Sequence, residues 1–274
     1  MRLAIFRITL LVLLVWAGKV NAQGSKVEVL HMQGEVFKMP SNTLLELGEE
    51  IQETQKLRFA TPSAKVMIVN DEGVRAVLTP QQGKEGDSEF VQIVKELMPD
   101  KVNISLSSRA ADAVSEVRSF TDFFGEGTFM VLGDTLQMQL APDVYPEEQH
   151  KVYVFRYEID GKPVQKILPL QNNQLTLVRQ VLFPSGKTYP AEVYYTNRVT
   201  KYSIKYASAN LLFVSPGKLQ KELEMLRGYY EKEGKEMTAK ELKNEFLLFV
   251  YQAYGQTDWK VMEDWLTKSF DLQG

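Results

Sequence analysis

The chain has no cysteine and only two histidines, His31 and His150. Without cysteine there are no disulfides, no thiolate–zinc or iron–sulfur sites and no thiol nucleophile. Two histidines 119 positions apart do not make a His-rich metal set. Neither sign of charge dominates, with 32 Lys+Arg against 35 Asp+Glu. There is thus no broad cationic field for a phosphate backbone, and nucleic acid is not an expected partner. Long apolar runs are scarce as well. The run 8–17 is shorter than the roughly 20 residues that a membrane-spanning helix needs, and no later segment reaches that length. What is present, 44% apolar and 24% charged residues in 274, is the composition of a folded globular protein.

The first 22 residues read as an export signal. Arg2 and Arg7 precede the run Leu10-Leu11-Val12-Leu13-Leu14-Val15-Trp16, and Val20-Asn21-Ala22 places small residues where a signal peptidase cuts. Cleavage after Ala22 starts the mature chain at Gln23. It removes Arg2, Arg7 and Lys19 and so moves the formal charge from −3 to −6. No Cys follows the apolar run, so no lipid anchor is expected, nor any stable membrane insertion after cleavage. An exported chain without disulfides relies on its packed core, which a chain of this length can supply.

Hydrophobic period divides the rest into blocks. Residues 26–80 alternate as short strands. Asn70-Asp71-Glu72-Gly73 separates two β-branched runs, which is a hairpin signal. Residues 81–127 form a polar, glycine-containing loop followed by helical spacings at 88–98 and 110–124, a helical linker. Residues 128–215 return to strands, eight of them, with Asp160-Gly161 as a second hairpin turn. Eight strands over this length match an immunoglobulin-sized sandwich. Residues 216–274 carry three amphipathic helices. Ser215-Pro216 opens the first, the capping box Thr238-Ala239-Lys240-Glu241 opens the second, and Thr257 is expected to cap the third. The expected fold class is therefore α+β, mainly antiparallel β: a small β-barrel or sandwich, a helical linker, a β-sandwich and a helical C-terminal segment.

Catalytic patterns are weak. Ser215-Pro216-Gly217-Lys218 has S-x-x-K spacing without the partner motifs of that chemistry, and reads as a helix N-terminus. Gly186-Lys187-Thr188 resembles the end of a phosphate loop, but Val181 stands where the first glycine belongs, so a turn is expected. Asp143, Glu147, Glu148 and His150 read as a solvated loop. No catalytic residue, metal site or cofactor is expected. Aromatics are the richest feature. Tyr153, Phe155 and Tyr157 share one face of a strand, and Tyr202 and Tyr206 share one face of another. Such residues build either a sandwich core or a platform for a ligand or partner.

The order of residues over 27–80 resembles the FecR-type periplasmic domain. The resemblance is carried by Gly34-Glu35-Val36, by Leu45-Glu46-Leu47-Gly48-Glu49-Glu50-Ile51, by Thr61 opening the apolar strand to Val66, and by Asp71-Glu72-Gly73-Val74 leading to Val77-Leu78-Thr79-Pro80. It implies an all-β module that works by protein–protein contact in the cell envelope, with no catalytic residues to carry over. Unlike FecR-type sensors, the chain has only seven residues before its apolar run, so signalling across a membrane by that route is not expected. The Asn-Ala-Gln signal ending resembles those of exported Bacteroidota proteins. The expectation is a periplasmic protein, with the extracellular space as the other destination, acting as a non-enzymatic scaffold or regulatory binding protein on an envelope protein partner. A glycan-binding or glycan-cleaving module, or a structural subunit of an envelope assembly, are the alternatives.

Overall fold

In the computed structural model the described residues are 26–80 and 116–272. The signal segment 1–22, the helical spacing at 88–98 and the first part of that at 110–124 lie outside them. The chain divides into two compact units, Met1–Asp100 and Lys101–Gly274. The fold is α+β with mainly antiparallel sheets.

The first unit is a small two-sheet β structure. Strands β1 (Lys26–Gln33), β4 (Glu50–Gln52), β6 (Lys65–Asn70) and β7 (Arg75–Leu78) form one sheet in the order β4-β1-β6-β7. Strands β2 (Val36–Lys38), β3 (Thr43–Leu44) and β5 (Leu57–Phe59) form the other in the order β3-β2-β5. Both orders have open ends, so neither sheet closes into a barrel. The core takes Val27, Val29, Val36, Leu45, Ile51, Leu57, Val66 and Ile68 from both sheets. The expected hairpin is present: Asn70 Oδ1 accepts from the amides of Glu72 and Val74, and Gly73 closes the turn at φ +81°. Gly34 sits at φ +78°, where an added Cβ would meet Ala64 Cβ at 3.0 Å. That contact lets the β1–β2 turn lie against the chain entering β6.

Among the described residues the first helix of the second unit is α1 (Phe120–Phe124), capped by Ser119. The helical spacing read from 110 starts only here among the described residues, because Val117 is instead bridged to Leu140. Phe120 and Phe124 are buried in this unit's core, so this end of the expected linker belongs to the sandwich. The larger sheet runs β11 (Lys162–Leu168), β10 (Lys151–Ile159), β14 (Ala191–Asn197), β15 (Ser203–Val214), β8 (Thr128–Leu132), β16 (Gln256–Thr257). The smaller runs β12 (Leu170–Gln171), β13 (Gln174–Val178), β9 (Thr135–Gln139). A short helix, α2 (Arg179–Leu182), follows β13. The core unites the inner faces of both sheets, with Tyr153, Phe155, Val193 and Leu211 from one and Leu136, Met138, Leu175 and Leu177 from the other. Asp160 and Gly161, at φ +50° and +71°, make the predicted β10–β11 turn.

Two features of the larger sheet depart from the expectation. The strands expected over 201–207 and 211–214 are one continuous strand, β15. A bulge lets Lys205 and Ala207 face the consecutive residues Tyr194 and Val193, leaving Tyr206 as the extra residue. The other departure is that β8 pairs in parallel with β15 on one side and with β16 on the other.

Three helices complete the unit: α3 (Pro216–Lys232), α4 (Ala239–Tyr254) and α5 (Trp259–Ser269). The capping box forms as expected, whereas α5 is capped by Asp258. Thr257 lies in β16 and donates its hydroxyl to the Met130 carbonyl at 2.9 Å. Phe129 and Val131 enter the sandwich core. Met130, between them, points to the opposite face and is still fully buried. α4 packs on β8, which places the helices over this end of the sheet's outer face. No helix among the described residues is long and apolar enough to cross a membrane.

Candidate functional site

Of the five aromatics singled out in the sequence, the structure sends three inward. Tyr153, Phe155 and Tyr157 are 1%, 0% and 5% exposed. They are the odd residues of β10, and that face of the strand looks onto the smaller sheet. Tyr206, at the bulge, is half-buried and stacks on Phe120 at 5.8 Å. Tyr202 is 66% exposed. Alternation shows which residues share a face; the position of the second sheet decides which face is inside.

Around Tyr153 the rings of Phe120, Tyr145, Tyr195 and Tyr206 pack at centroid distances of 5.2–6.4 Å. Tyr145 donates its hydroxyl to the Arg118 carbonyl at 3.2 Å. The Tyr153 hydroxyl is shut from water without a partner, and burial pushes its pKa far above the ordinary tyrosine range. These rings fill their own space and form a core cluster.

The open chemistry lies on the other face of the same strands. A groove of about 1120 Å³ runs across β10, β14 and β15 and is walled by Gly125-Glu126-Gly127, the turn after α1. Registry builds it. Arg156 stands opposite Glu192, and Tyr194 opposite Lys205, so the even residues of β10 and β14 share the outer face. Glu158, Ser208 and Asn210 extend the lining.

Electrostatics within this patch are unequal. Glu192 accepts from Lys205 Nζ at 2.5 Å and from the Tyr194 hydroxyl at 2.8 Å. The hydrogen bond from Lys205, then that from Tyr194, holds the Glu192 carboxyl below its ordinary pKa. Glu192 in turn raises Lys205. Arg156 lies over the Tyr194 ring at 4.0 Å, a cation–π contact, and donates from Nη2 to Ser203 Oγ at 3.3 Å. Ser203 is itself held by Thr196 Oγ1 at 2.9 Å. Arg156 Nε is buried without an acceptor.

The other sequence candidates have local roles. Ser215 caps α3 by accepting from the Lys218 amide at 3.3 Å. Gly186 closes a turn onto the Phe183 carbonyl at φ +77°. Asp143 pairs with Arg118, and Glu148 with Lys151. His31 is buried in β1, and His150 lies exposed before β10. Among the described residues no three of His, Cys, Asp and Glu come together in a set able to hold a metal ion. Tyr157 and Tyr206, singled out in the sequence, are among the residues that line the groove, whereas Arg156, Glu158, Glu192, Lys205, Ser208 and Asn210 went unnoticed because two strand registers assemble them. The available signal was a charged residue, Arg156, set between two aromatics on a β-patterned run.

No family model matches the chain, and no curated protein does.

Proposed function

We propose that this is an exported, non-enzymatic scaffold or regulatory binding protein of the bacterial envelope that acts by protein–protein contact. The supporting observation is the outer face of the six-stranded sheet. Helices occupy its β8 end, while the β10–β11–β14–β15 end is solvent-facing and grooved. This open end pairs an aromatic-stacked arginine with apolar surface. Ile167 is 57% exposed, and it stands opposite Val154, which is itself buried between Ile167 and Tyr194 in the ladder. Arginine and aromatic anchors ringed by polar residues are the anatomy of a protein interface. The FecR-type resemblance of 27–80 and the signal segment add the location.

Two measurements test the reading. N-terminal sequencing of the protein from fractionated cells is expected to begin at Gln23 in the periplasmic fraction. Photo-crosslinking probes at Gln165 and Ser208 in living cells are expected to give a discrete adduct with one envelope protein, and a probe at Lys232 on α3 is not. A cytoplasmic chain retaining its leader, or no adduct specific to the groove, overturns the reading.

A glycan-binding or glycan-cleaving module is the second reading. Glu158 and Glu192 are diagonal neighbours on the groove face. Diagonal positions bring two carboxyls to one face of the groove, and glycosidases work with a pair of carboxyls. Release of reducing ends from envelope polysaccharide, abolished by Glu158→Gln, would establish it.

A further inference from the structure

The geometry points to a carboxylate as the group that the partner brings into the groove: an acidic side chain on an extended peptide segment, received by Arg156. This rests on the protein-contact reading above and names the chemistry of that contact.

Arg156 has no hydrogen-bonded counter-charge, and it acts on Glu192 only through space. Glu192, directly across the ladder, spends its two oxygens on Lys205 and Tyr194. No ion pair joins Arg156 to any described residue. Its Nε is nevertheless cut off from water and has no acceptor. A partly desolvated guanidinium with a missing acceptor is costly in the free protein. A carboxylate arriving from outside would offset that cost by pairing with the terminal nitrogens of the guanidinium, whose planar fork matches a carboxylate well. The plane is already fixed by the Tyr194 ring on one side and by the Ser203 hydroxyl at its end. Little side-chain freedom therefore remains to be lost on binding.

The lining also selects against other anions. Glu126, Glu158 and Glu192 accompany Arg156 and Lys205, so the groove is not a cationic trough. A polyanion, whether a uronic-acid polymer or a phosphate chain, meets three like charges there. A single carboxylate seated on Arg156, with neutral or basic neighbours, brings only one negative charge toward them. Ser208 and Asn210, exposed and two apart on β15, add hydrogen-bonding groups along one line of the groove, as an extended main chain requires. At about 1120 Å³ and open to solvent, the groove suits a chain better than an enclosed small molecule.

The probe is a pool of short peptides with Glu at the centre and Lys, Ser, Thr and Val at random elsewhere, compared with the same pool carrying Gln at the centre. Binding to the purified protein is read from the Nε–H resonance of Arg156 in a nitrogen-15 spectrum and from fluorescence anisotropy. The Glu pool is expected to move that resonance and to bind at least about tenfold more tightly than the Gln pool. Arg156→Gln and, separately, Ser208→Trp, which fills the groove from an exposed position, are expected to reduce the Glu pool to the level of the Gln pool. Circular-dichroism melting checks that each variant is folded; should Arg156→Gln unfold, Ser208→Trp carries the comparison. Equal binding of the two pools, no response to either at millimolar concentration, or full binding by either folded variant overturns the inference. So does a response to polygalacturonate that the peptides do not produce. A groove adduct that forms undiminished in cells carrying Arg156→Gln would leave the protein-contact reading standing while removing the carboxylate from it.

Discussion

Gly255 is constrained twice over. Its backbone, at φ +90° and ψ −150°, lies in a region that is essentially glycine's alone. An added Cβ would also stand 2.5 Å from the Thr128 carbonyl oxygen. Gly255→Ala should lower stability by at least about 1–3 kcal/mol from backbone strain, read as a lower urea midpoint. The same substitution at Gly228, inside α3 with open space around it, should raise stability by about 0.4–1 kcal/mol. Tyr153→Phe should also stabilise, because it deletes a buried hydroxyl that has no partner and keeps the ring. A gain of about 1 kcal/mol is expected from a buried polar group left unpaired, and an unchanged or lower melting temperature would show that the hydroxyl is satisfied in solution. In the sequence Gly255 is visible as a helix stop, since that role is local. Its second constraint comes from Thr128, far away in the chain, and no local pattern reports it. Tyr153 was likewise visible as sharing a face with Phe155 and Tyr157, while the side of the sheet it takes depends on residues 135–139 and 174–178.

Between elements, the contact that sequence passes over is Glu222. The stripe Leu219, Leu223, Leu226, Tyr230 marks the buried face of α3, and a charged residue beside it reads as outward. Glu222 is in fact fully buried, accepting from the Tyr254 hydroxyl of α4 at 2.5 Å, with Lys218 Nζ at 3.8 Å. Tyr254→Phe removes a donor from a buried carboxylate and should cost about 1.5–3 kcal/mol. Adding Glu222→Met should restore much of that, because removing both polar partners is far less costly than stranding one. Thermal denaturation of the single and double variants makes the comparison. At the start of α4 the capping box holds the Glu241 carboxyl below its ordinary pKa, first through the Thr238 amide and then through its hydroxyl. A pKa lowered in the folded state contributes stability that is complete above the ordinary glutamate range and vanishes as pH falls through the depressed value. The penalty of Glu241→Ala should therefore be full at neutral pH and shrink on acidification below that range, as followed by urea melts over pH. This box was legible because four consecutive residues define it. The cap of α5 was misread by one position because Thr257, a good cap by type, is taken by β16.

At the scale of the molecule, the C-terminal helices belong to the sandwich unit and do not stand apart from it. β16 extends the larger sheet beyond β8, and α4 covers the face on which Met130 lies. A chain truncated after Ser215 should bind a hydrophobic dye and lose its cooperative melt, even though every strand of the sandwich except β16 remains. An unaltered transition would mean that the helices are dispensable. Over the described residues the strand-rich and helix-rich stretches were legible as changes of period, and both hairpins as local turns. The parallel pairing of β8 was not, because it joins segments 82 and 127 residues apart that share no local signal. That long reach bears on how the protein is made. Contacts so distant in sequence are slow to close, and the seam at β8 lacks its last strand until Gln256 and Thr257 have left the ribosome. For most of its synthesis the second unit therefore stays short of its final fold, whereas the first, whose last strand ends at Leu78, has all its strands early.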